Sequence, residues 1–399
     1  MSACTLNPPF LAWRRFYDGD ASQGQQRNRE NVRMGAVEGN MPKPKVRKGM
    51  PSVALSRDEF SKRMRERFYD PSFAAVNTEI EKVIEVAWRN YSEHRKSPIT
   101  RRAGPEFHDP EYALSVEWLD ARRAIVQAEK RQKNPKSKPR ILLINGSSRS
   151  DQTCPGEISK TFRLAKMAER TIIDAKGIEV DLLDLSKLAA EYGRVIYPCK
   201  ACVSTAMPLC HWPCSCYPNH SLGQVNDWMA EIYPRWVAAH GVMILCPVNW
   251  YQAPSSLKLM IDRLVCADGG NPDPTLTGGK NPQRAKEVEL KGWHYPRHLA
   301  GRVFSIVVHG DAAGAETLRR MLTDWLTDMG LVAAGTAALV DGYVGYYQPY
   351  ATSHEDLDLD KRFQEETRNA ARSLMNAVRL LRRGKLKQPD ASLHEPQPK

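Results

Sequence analysis

The sequence predicts an α/β chain: a three-layer sandwich on a five-stranded parallel sheet, with a helical extension before it and a helix after it. Two observations carry this. From about residue 139 onward, short apolar runs alternate with amphipathic segments, the pattern of strands joined by helical crossovers. Before that point apolar residues recur only at helical spacing.

The first fifty residues are rich in Gly, Pro, Gln, Asn and Arg without a sustained apolar period, so 1–54 reads as a disordered basic tail. Met41 is an alternative start within it. Ser56-Arg57-Asp58-Glu59 has the form of a capping box and is followed by Phe60, Met64 and Phe68 at helical spacing. A second helix follows Pro71, with Phe73, Val76, Ile80, Val83, Ala87 and Tyr91 on one face. A third carries Leu114, Trp118, Ala121, Ile125 and Ala128. Residues 55–138 are thus a helical extension ending in a basic linker.

The strands are expected at 140–145, 178–183, 242–247, 303–309 and 331–339, within a domain spanning 139–345. Helices are expected between them at about 157–175, 222–239, 254–265 and 313–328. The stretch 267–300 is long and rich in Gly, Pro and Lys, and reads as a lid or an oligomer contact. A last helix, within 346–383, opens on Asp356, Asp358 and Asp360 and closes on Arg379, Arg382 and Arg383, charges that suit its dipole. The remainder, 384–399, reads as a loose tail.

With 399 residues, 42% of them hydrophobic, the chain can bury a substantial core. Nine cysteines are too sparse for a disulfide scaffold. The longest nearly apolar stretch, 236–248, has thirteen residues and is broken by His240, whereas a bilayer span needs about 20. These features predict a cytoplasmic protein with reduced thiols and no membrane contact. The net charge of +12 is localised: residues 1–50 hold nine Lys/Arg against four Asp/Glu, and residues 121–140 hold eight against one. An excess in a tail and a linker reads as solvated connector, and not as a folded nucleic-acid face.

In open parallel sheets ligands bind beyond the C-terminal strand ends. The first such loop is Asn145-Gly146-Ser147-Ser148-Arg149-Ser150, where hydroxyls, loop amides and a helix N-terminus can enclose a phosphate. Neither a P-loop nor a G-x-G-x-x-G fingerprint is present there. The third strand opens into Pro247-Val248-Asn249-Trp250-Tyr251-Gln252-Ala253-Pro254, suited to covering a flat aromatic ring. Lys258 and Asp262 in the helix that follows are an i,i+4 pair of structural character. The fourth strand ends in His309-Gly310-Asp311-Ala312-Ala313-Gly314, another glycine-bearing turn before a helix.

Together GSSRS, PVNWYQAPSSLKLMIDRL and HGDAAGAE resemble the three site loops of the flavodoxin-like NAD(P)H-dependent FMN reductases, the middle motif in both order and spacing. The resemblance covers about residues 139 to 340 and implies a flavodoxin-like fold binding FMN non-covalently. Carried over, Ser147, Ser148, Arg149 and Ser159 or Thr161 meet the phosphate. Pro247, Val248, Asn249, Trp250 and Tyr251 border the ring, with His309, Gly310 and Asp311 at its far edge. The insertion DQTCPGE in the first loop departs from the family pattern. The resemblance further implies NAD(P)H as co-substrate, a small-molecule electron acceptor such as a quinone or flavin, and a homo-dimer or homo-tetramer. FMN carries the chemistry, so no catalytic side chain is expected.

Five cysteines fall within eighteen residues: Cys199, Cys202, Cys210, Cys214 and Cys216. Closely spaced thiolates are a usual means of holding zinc or an Fe–S cluster. Their position also resembles the iron–sulfur flavoprotein branch of the family, although seven residues separate the second cysteine from the third. The pattern leaves open a metal or Fe–S site, metal-free thiols, and a redox dithiol at Cys199-x-x-Cys202. Two other functions are therefore kept beside the reductase: an FMN/iron–sulfur electron-transfer protein, and a flavin-free module binding nucleic acid through its basic segments.

Overall fold

The computed structural model describes residues 53–387 apart from 312 and 347. All but the last two residues of the expected tail 1–54, Met41 included, and all but the first four of 384–399 lie outside the described residues. The Ser56 hydroxyl accepts from the Glu59 amide at 3.2 Å and caps α1 (Arg57–Arg65) as its sequence requires. A 3-10 segment, Pro71–Val76, leads into α2 (Asn77–Ser92), which buries Ile80 and Ile84. The apolar face expected on this helix is narrower than its sequence suggests. Phe73, Val76 and Val83 are exposed, while α1 and the turn His220–Leu222 pack on α2.

Two three-residue strands, β1 (Thr100–Arg102) and β2 (Ala113–Ser115), pair antiparallel inside the block expected to be helical. Strands this short show no two-residue period. The helix α3 (Val116–Lys133) buries Trp118 and Ile125, and the Trp118 indole donates to the Pro213 carbonyl at 2.7 Å. It absorbs much of the basic run 121–140, where Arg123 pairs with Asp120 and Arg131 with Glu179. The remaining linker is held by Arg382, which donates to the carbonyls of Asn134, Pro135 and Ser137.

The main sheet runs in the order β4-β3-β5-β6, all parallel: β3 (Arg140–Asn145), β4 (Glu179–Asp184), β5 (Gly241–Pro247) and β6 (Val303–Gly310). The expected fifth strand, 331–339, is corrected: β7 (Val332–Ala333) and β8 (Leu339–Tyr343) both pair with β6. Gly335, at φ 97°, interrupts the run and starts the 3-10 turn Thr336–Ala338 between them.

The crossovers are α4 (Lys160–Asp174), a short α5 (Lys187–Ala190), α6 (Met229–Ala238), α7 (Ser255–Gly269), α8 (Pro282–Leu290) and α9 (Ala315–Asp328). The crossover expected as a helix from 222 begins only at Met229, because Gly223 and Asn226 adopt positive φ before it. The single C-terminal helix divides at Asp360 into α10 (Ser353–Leu359) and α11 (Lys361–Arg382), and the Asp360 side chain caps α11. The stretch 267–300 contains α8 and packs on the cysteine loop through Ala285, Ala206 and Leu209.

Strand side chains alternate between two cores, as a sheet covered on both faces requires. Leu142, Ile144, Val242 and Phe304 meet Trp236 of α6, Met260 of α7 and Leu322 of α9. Ile141, Leu143, Met243 and Val307 meet Leu164 of α4 and Leu374 and Val378 of α11. This is the flavodoxin-like sandwich the sequence predicts. Buried Arg302 supports it by donating to the carbonyls of Trp236 and Val237 at the end of α6.

Where α11 crosses the start of β5, Gly241 leaves no room for a methyl group. A Cβ there would lie 2.6 Å from Val378 Cγ2 and 3.1 Å from Leu374 Cδ1. Gly241→Ala should therefore lower the free energy of unfolding by about 1–3 kcal/mol through overpacking. Urea titration checks this; an unchanged midpoint would contradict the close approach.

Candidate functional site

The loops after β3, β5 and β6 meet in one cleft of about 670 Å³, the size of a small-molecule site. Its walls include every residue proposed from the sequence for a mononucleotide: Ser147, Ser148, Arg149, Ser159, Thr161, Pro247 to Tyr251, and His309 to Asp311. In-register pairing brings them together. Asn145 faces Leu245, and Pro247 faces His309.

The first loop is tied to its strand by the buried Asn145. Its amide donates to Asp184 at 2.7 Å and to the Arg149 carbonyl at 3.2 Å, while its oxygen accepts from the Ser147 amide. The Ser147 hydroxyl accepts from the Arg149 amide at 3.0 Å, and Ser148 contacts Ser256 of α7 at 3.1 Å. Only glycine fits at 146, since a Cβ there would come within 2.9 Å of Cys246 Cβ and 3.1 Å of the Leu245 carbonyl.

Two expected phosphate residues already have partners. Ser159 caps α4 by accepting from the Phe162 amide, and it donates to the Arg149 carbonyl at 2.9 Å. The Thr161 hydroxyl lies 2.7 Å from His309 Nε2. Between them Lys160, nearly buried, forms an ion pair with Asp311 across the cleft. Sequence reading passed over Lys160 because it matches no phosphate motif. It also passed over Tyr350, Ser353 and His354, which complete the wall. His354 reaches the first loop by donating to the Ile158 carbonyl at 2.8 Å, a contact across almost 200 residues that local pattern does not encode.

The third-strand loop is a tight turn. Asn249 and Gln252 exchange two 2.9 Å backbone hydrogen bonds, and Trp250 and Tyr251 between them have φ of 49° and 64°. Both rings face outward: Trp250 is 95% exposed and Tyr251 60% exposed. The expected aromatic ledge therefore stands at the cleft mouth, and Pro247 and Val248 form its inner wall. Lys258 and Asp262 make their helical ion pair on an exposed face.

Two polar atoms in the walls are buried with no hydrogen-bond partner among the described residues: Arg149 Nε and His309 Nδ1. Such groups are costly unless a ligand or water satisfies them. Burial, reinforced by Lys160, pushes the His309 pKa down to about 3, so the imidazole is neutral. A guanidinium, an ammonium, loop amides and a neutral imidazole in one cleft suit an anionic ligand with a flat polar-edged ring.

The cysteine loop lies elsewhere, between β4 and α6. Cys199, Cys202, Cys210, Cys214 and Cys216 are the residues expected as candidate metal ligands. Among the described residues no group of three or more His, Cys, Asp or Glu is arranged to hold a metal ion. The cation facing these sulfurs is the Lys280 ammonium, 3.4 Å from Cys202 Sγ. The thiols of Cys216, Cys202, Cys214 and Cys210 favour its charge and raise its pKa against its burial. His211 is occupied by Ser215 and Thr277.

A doubly covered parallel sheet with a mononucleotide-sized cleft at its strand ends defines a flavodoxin-like protein. Residues 139–344 match the family described as NADPH-dependent FMN reductase, and the chain belongs to that family, a family of FMN-dependent oxidoreductases. An iron–sulfur flavoprotein from Methanosarcina thermophila is 29% identical over 170 residues, 41% of this chain and 75% of that protein. Among solved structures, RosB with bound 8-demethyl-8-formylriboflavin-5'-phosphate is similar at 13% identity and TM-score 0.43, covering 62% of this chain and 81% of that one. The apo form of the NADH:FMN oxidoreductase EmoB is similar at 14% identity and TM-score 0.32, covering 65% and 97%. An azoreductase from Bacillus anthracis str. Sterne is 12% identical at TM-score 0.34, covering 58% and 98%. Among the described residues no helix is long and apolar enough to cross a membrane.

His309 makes the site pH-sensitive. Folded, its imidazole stays neutral down to about pH 3, and buried His240 stays neutral to about pH 4. In the unfolded chain both take a proton near pH 6.5. Above pH 6.5 neither state holds the proton and burial carries no protonation penalty, whereas stability falls as pH drops from there toward 4. Urea midpoints across this range should show the decline. His309→Gln should flatten it by up to about 1.4 kcal/mol per pH unit. An unaltered slope in that variant would mean His309 is protonated in the fold.

Proposed function

We propose that the chain is an NAD(P)H-dependent FMN oxidoreductase that passes electrons from a reduced nicotinamide to a small-molecule acceptor such as a quinone or flavin. The observation that carries this reading is the convergence of 147–149, 247–251 and 309–311 on one cleft that contains two buried, unsatisfied polar atoms. The Arg149 guanidinium, the Ser147 hydroxyl, the Ser148 amide and the start of α4 hold the phosphate. Thr161 orients His309 toward the same ligand. Lys160, paired with Asp311, ties the start of α4 to the loop after β6. Pro247 and Val248 shape the apolar wall along the ring, and Trp250 and Tyr251 close the mouth. His309, Gly310 and Asp311 border the ring's far edge.

When bound, FMN supplies the two-electron chemistry. The protein's residues bind it, orient it and exclude water, so no side-chain acid or base is assigned. A cytoplasmic setting and a homo-dimer or homo-tetramer belong to the same reading. Pairing of FMN with an iron–sulfur or zinc centre is the competing reading. The name of the Methanosarcina relative favours it, and the cysteine geometry does not.

The purified protein should show the visible absorption bands of a flavin, and these should bleach on addition of NADPH or NADH. Replacing both Ser147 and Arg149 with Ala should weaken FMN binding at least about 10-fold, the worth of one charge-assisted hydrogen bond. The apoprotein's thermal midpoint should be unchanged. Wild-type FMN affinity in the double variant would overturn the phosphate assignment.

A further inference from the structure

The cysteine loop presents two sulfurs in contact. Cys202 Sγ lies 3.5 Å from Cys216 Sγ, although the residues are fourteen apart in sequence. A disulfide needs about 2.05 Å, so the two sulfurs must approach by about 1.5 Å to bond. Cys202 opens the 3-10 turn Cys202–Ser204 and is partly exposed, whereas Cys216 is buried. An attacking thiol at the surface with a second thiol behind it is the arrangement that exchange with an external disulfide requires.

The surroundings favour the thiolate at Cys202. Lys280 donates to its sulfur at 3.4 Å and is anchored by a 2.8 Å bond to the Leu209 carbonyl. Lys96 approaches from the extension and donates to the Ser215 carbonyl. A thiolate at Cys202 would gain from the Lys280 ammonium and from the Cys216 sulfur in contact with it. The loop is braced by His211, whose two ring nitrogens contact Ser215 and, at 3.1 Å, Thr277 of the 267–300 stretch. Neither Cys202 nor Cys216 lines the cleft assigned to FMN.

We propose that Cys202 and Cys216 form a redox-active dithiol that reduces low-molecular-weight disulfides, with Cys202 attacking and Cys216 resolving. The Cys202 thiolate, its proton released to solvent, attacks one sulfur of R–S–S–R. The disulfide bond breaks and R–S⁻ leaves, taking up a proton, while a Cys202–S–S–R mixed disulfide forms. Cys216 then loses its proton and attacks the Cys202 sulfur, expelling the second R–S⁻, which is protonated. Two protein thiols are oxidised by two electrons, and one external disulfide becomes two thiols. An external dithiol reverses the reaction. This assignment is independent of the flavin reading.

The test treats pre-reduced full-length protein with 2-hydroxyethyl disulfide and maps the products by mass spectrometry. Wild-type protein should lose two hydrogens and yield a Cys202–Cys216 cross-linked peptide. Cys216→Ser should accumulate 2-mercaptoethanol on Cys202. Cys202→Ser should react at least about 10-fold more slowly at this loop, because the activated thiolate is gone. A cross-link joining other cysteines, or equal reactivity in Cys202→Ser, would overturn the assignment. So would stoichiometric zinc, or iron with acid-labile sulfide, in anaerobically purified protein.

Discussion

The site depends on the register of three parallel strands. β3 ends at Asn145 opposite Leu245, two residues before the end of β5, and the Gly146 amide extends their ladder by donating to the Leu245 carbonyl at 2.7 Å. Pro247 at the end of β5 faces His309 of β6, and the Val248 amide donates to the His309 carbonyl at 2.8 Å. These two bonds lie just past the named strand ends and bring the three loops together. A one-residue slip of β5 would turn Ile244 and Cys246 to the opposite core and would separate Pro247 from His309. The buried Asn145 amide, bonded to Asp184, extends the same constraint to β4.

Packing on both faces protects that register. α4 and α11 cover one face and α6, α7 and α9 the other, so no slip can occur without exposing a core. The C-terminal segment adds long-range ties on the side of the cleft. Arg163 of α4 pairs with Asp358, and His354 pairs with Glu157 at 3.1 Å. These contacts fasten the end of the first loop and the start of α4 to α10. At the opposite end of the sheet Arg382 and Arg302 hold the linker and the end of α6 through backbone carbonyls.

The α/β alternation and the three loops were legible because strand ends punctuated by Gly, Ser and Pro mark themselves locally. The first capping box was legible for the same reason: Ser56 and Glu59 are three residues apart, and the Ser56 hydroxyl makes its contact there. What escaped was set by distance or by brevity. Nothing near Lys160 signals that Asp311 faces it, and nothing near His354 signals the first loop. β1 and β2 are too short to carry a period, and the split between β7 and β8 turned on the backbone of Gly335. Trp250 and Tyr251 were read as a covering wall from composition. Their positive φ, a property of the turn closed by Asn249 and Gln252, points them outward instead.

Charge placement differs between the cleft and the cysteine loop. In the cleft the Lys160 ammonium is opposed by Asp311, leaving Arg149 as the uncompensated cation beside loop amides and a neutral His309. A dianion gains there from donors that are already oriented, and a neutral imidazole adds polarity without a second fixed charge. In the cysteine loop the order is reversed. Lys280 and Lys96 are the fixed cations, and the sulfurs are the groups whose charge can change. An ammonium at 3.4 Å favours a thiolate over a thiol and simultaneously repels a divalent cation from the same sulfurs. The 267–300 stretch supplies that ammonium, and its packing on the loop holds the charge beside the sulfurs.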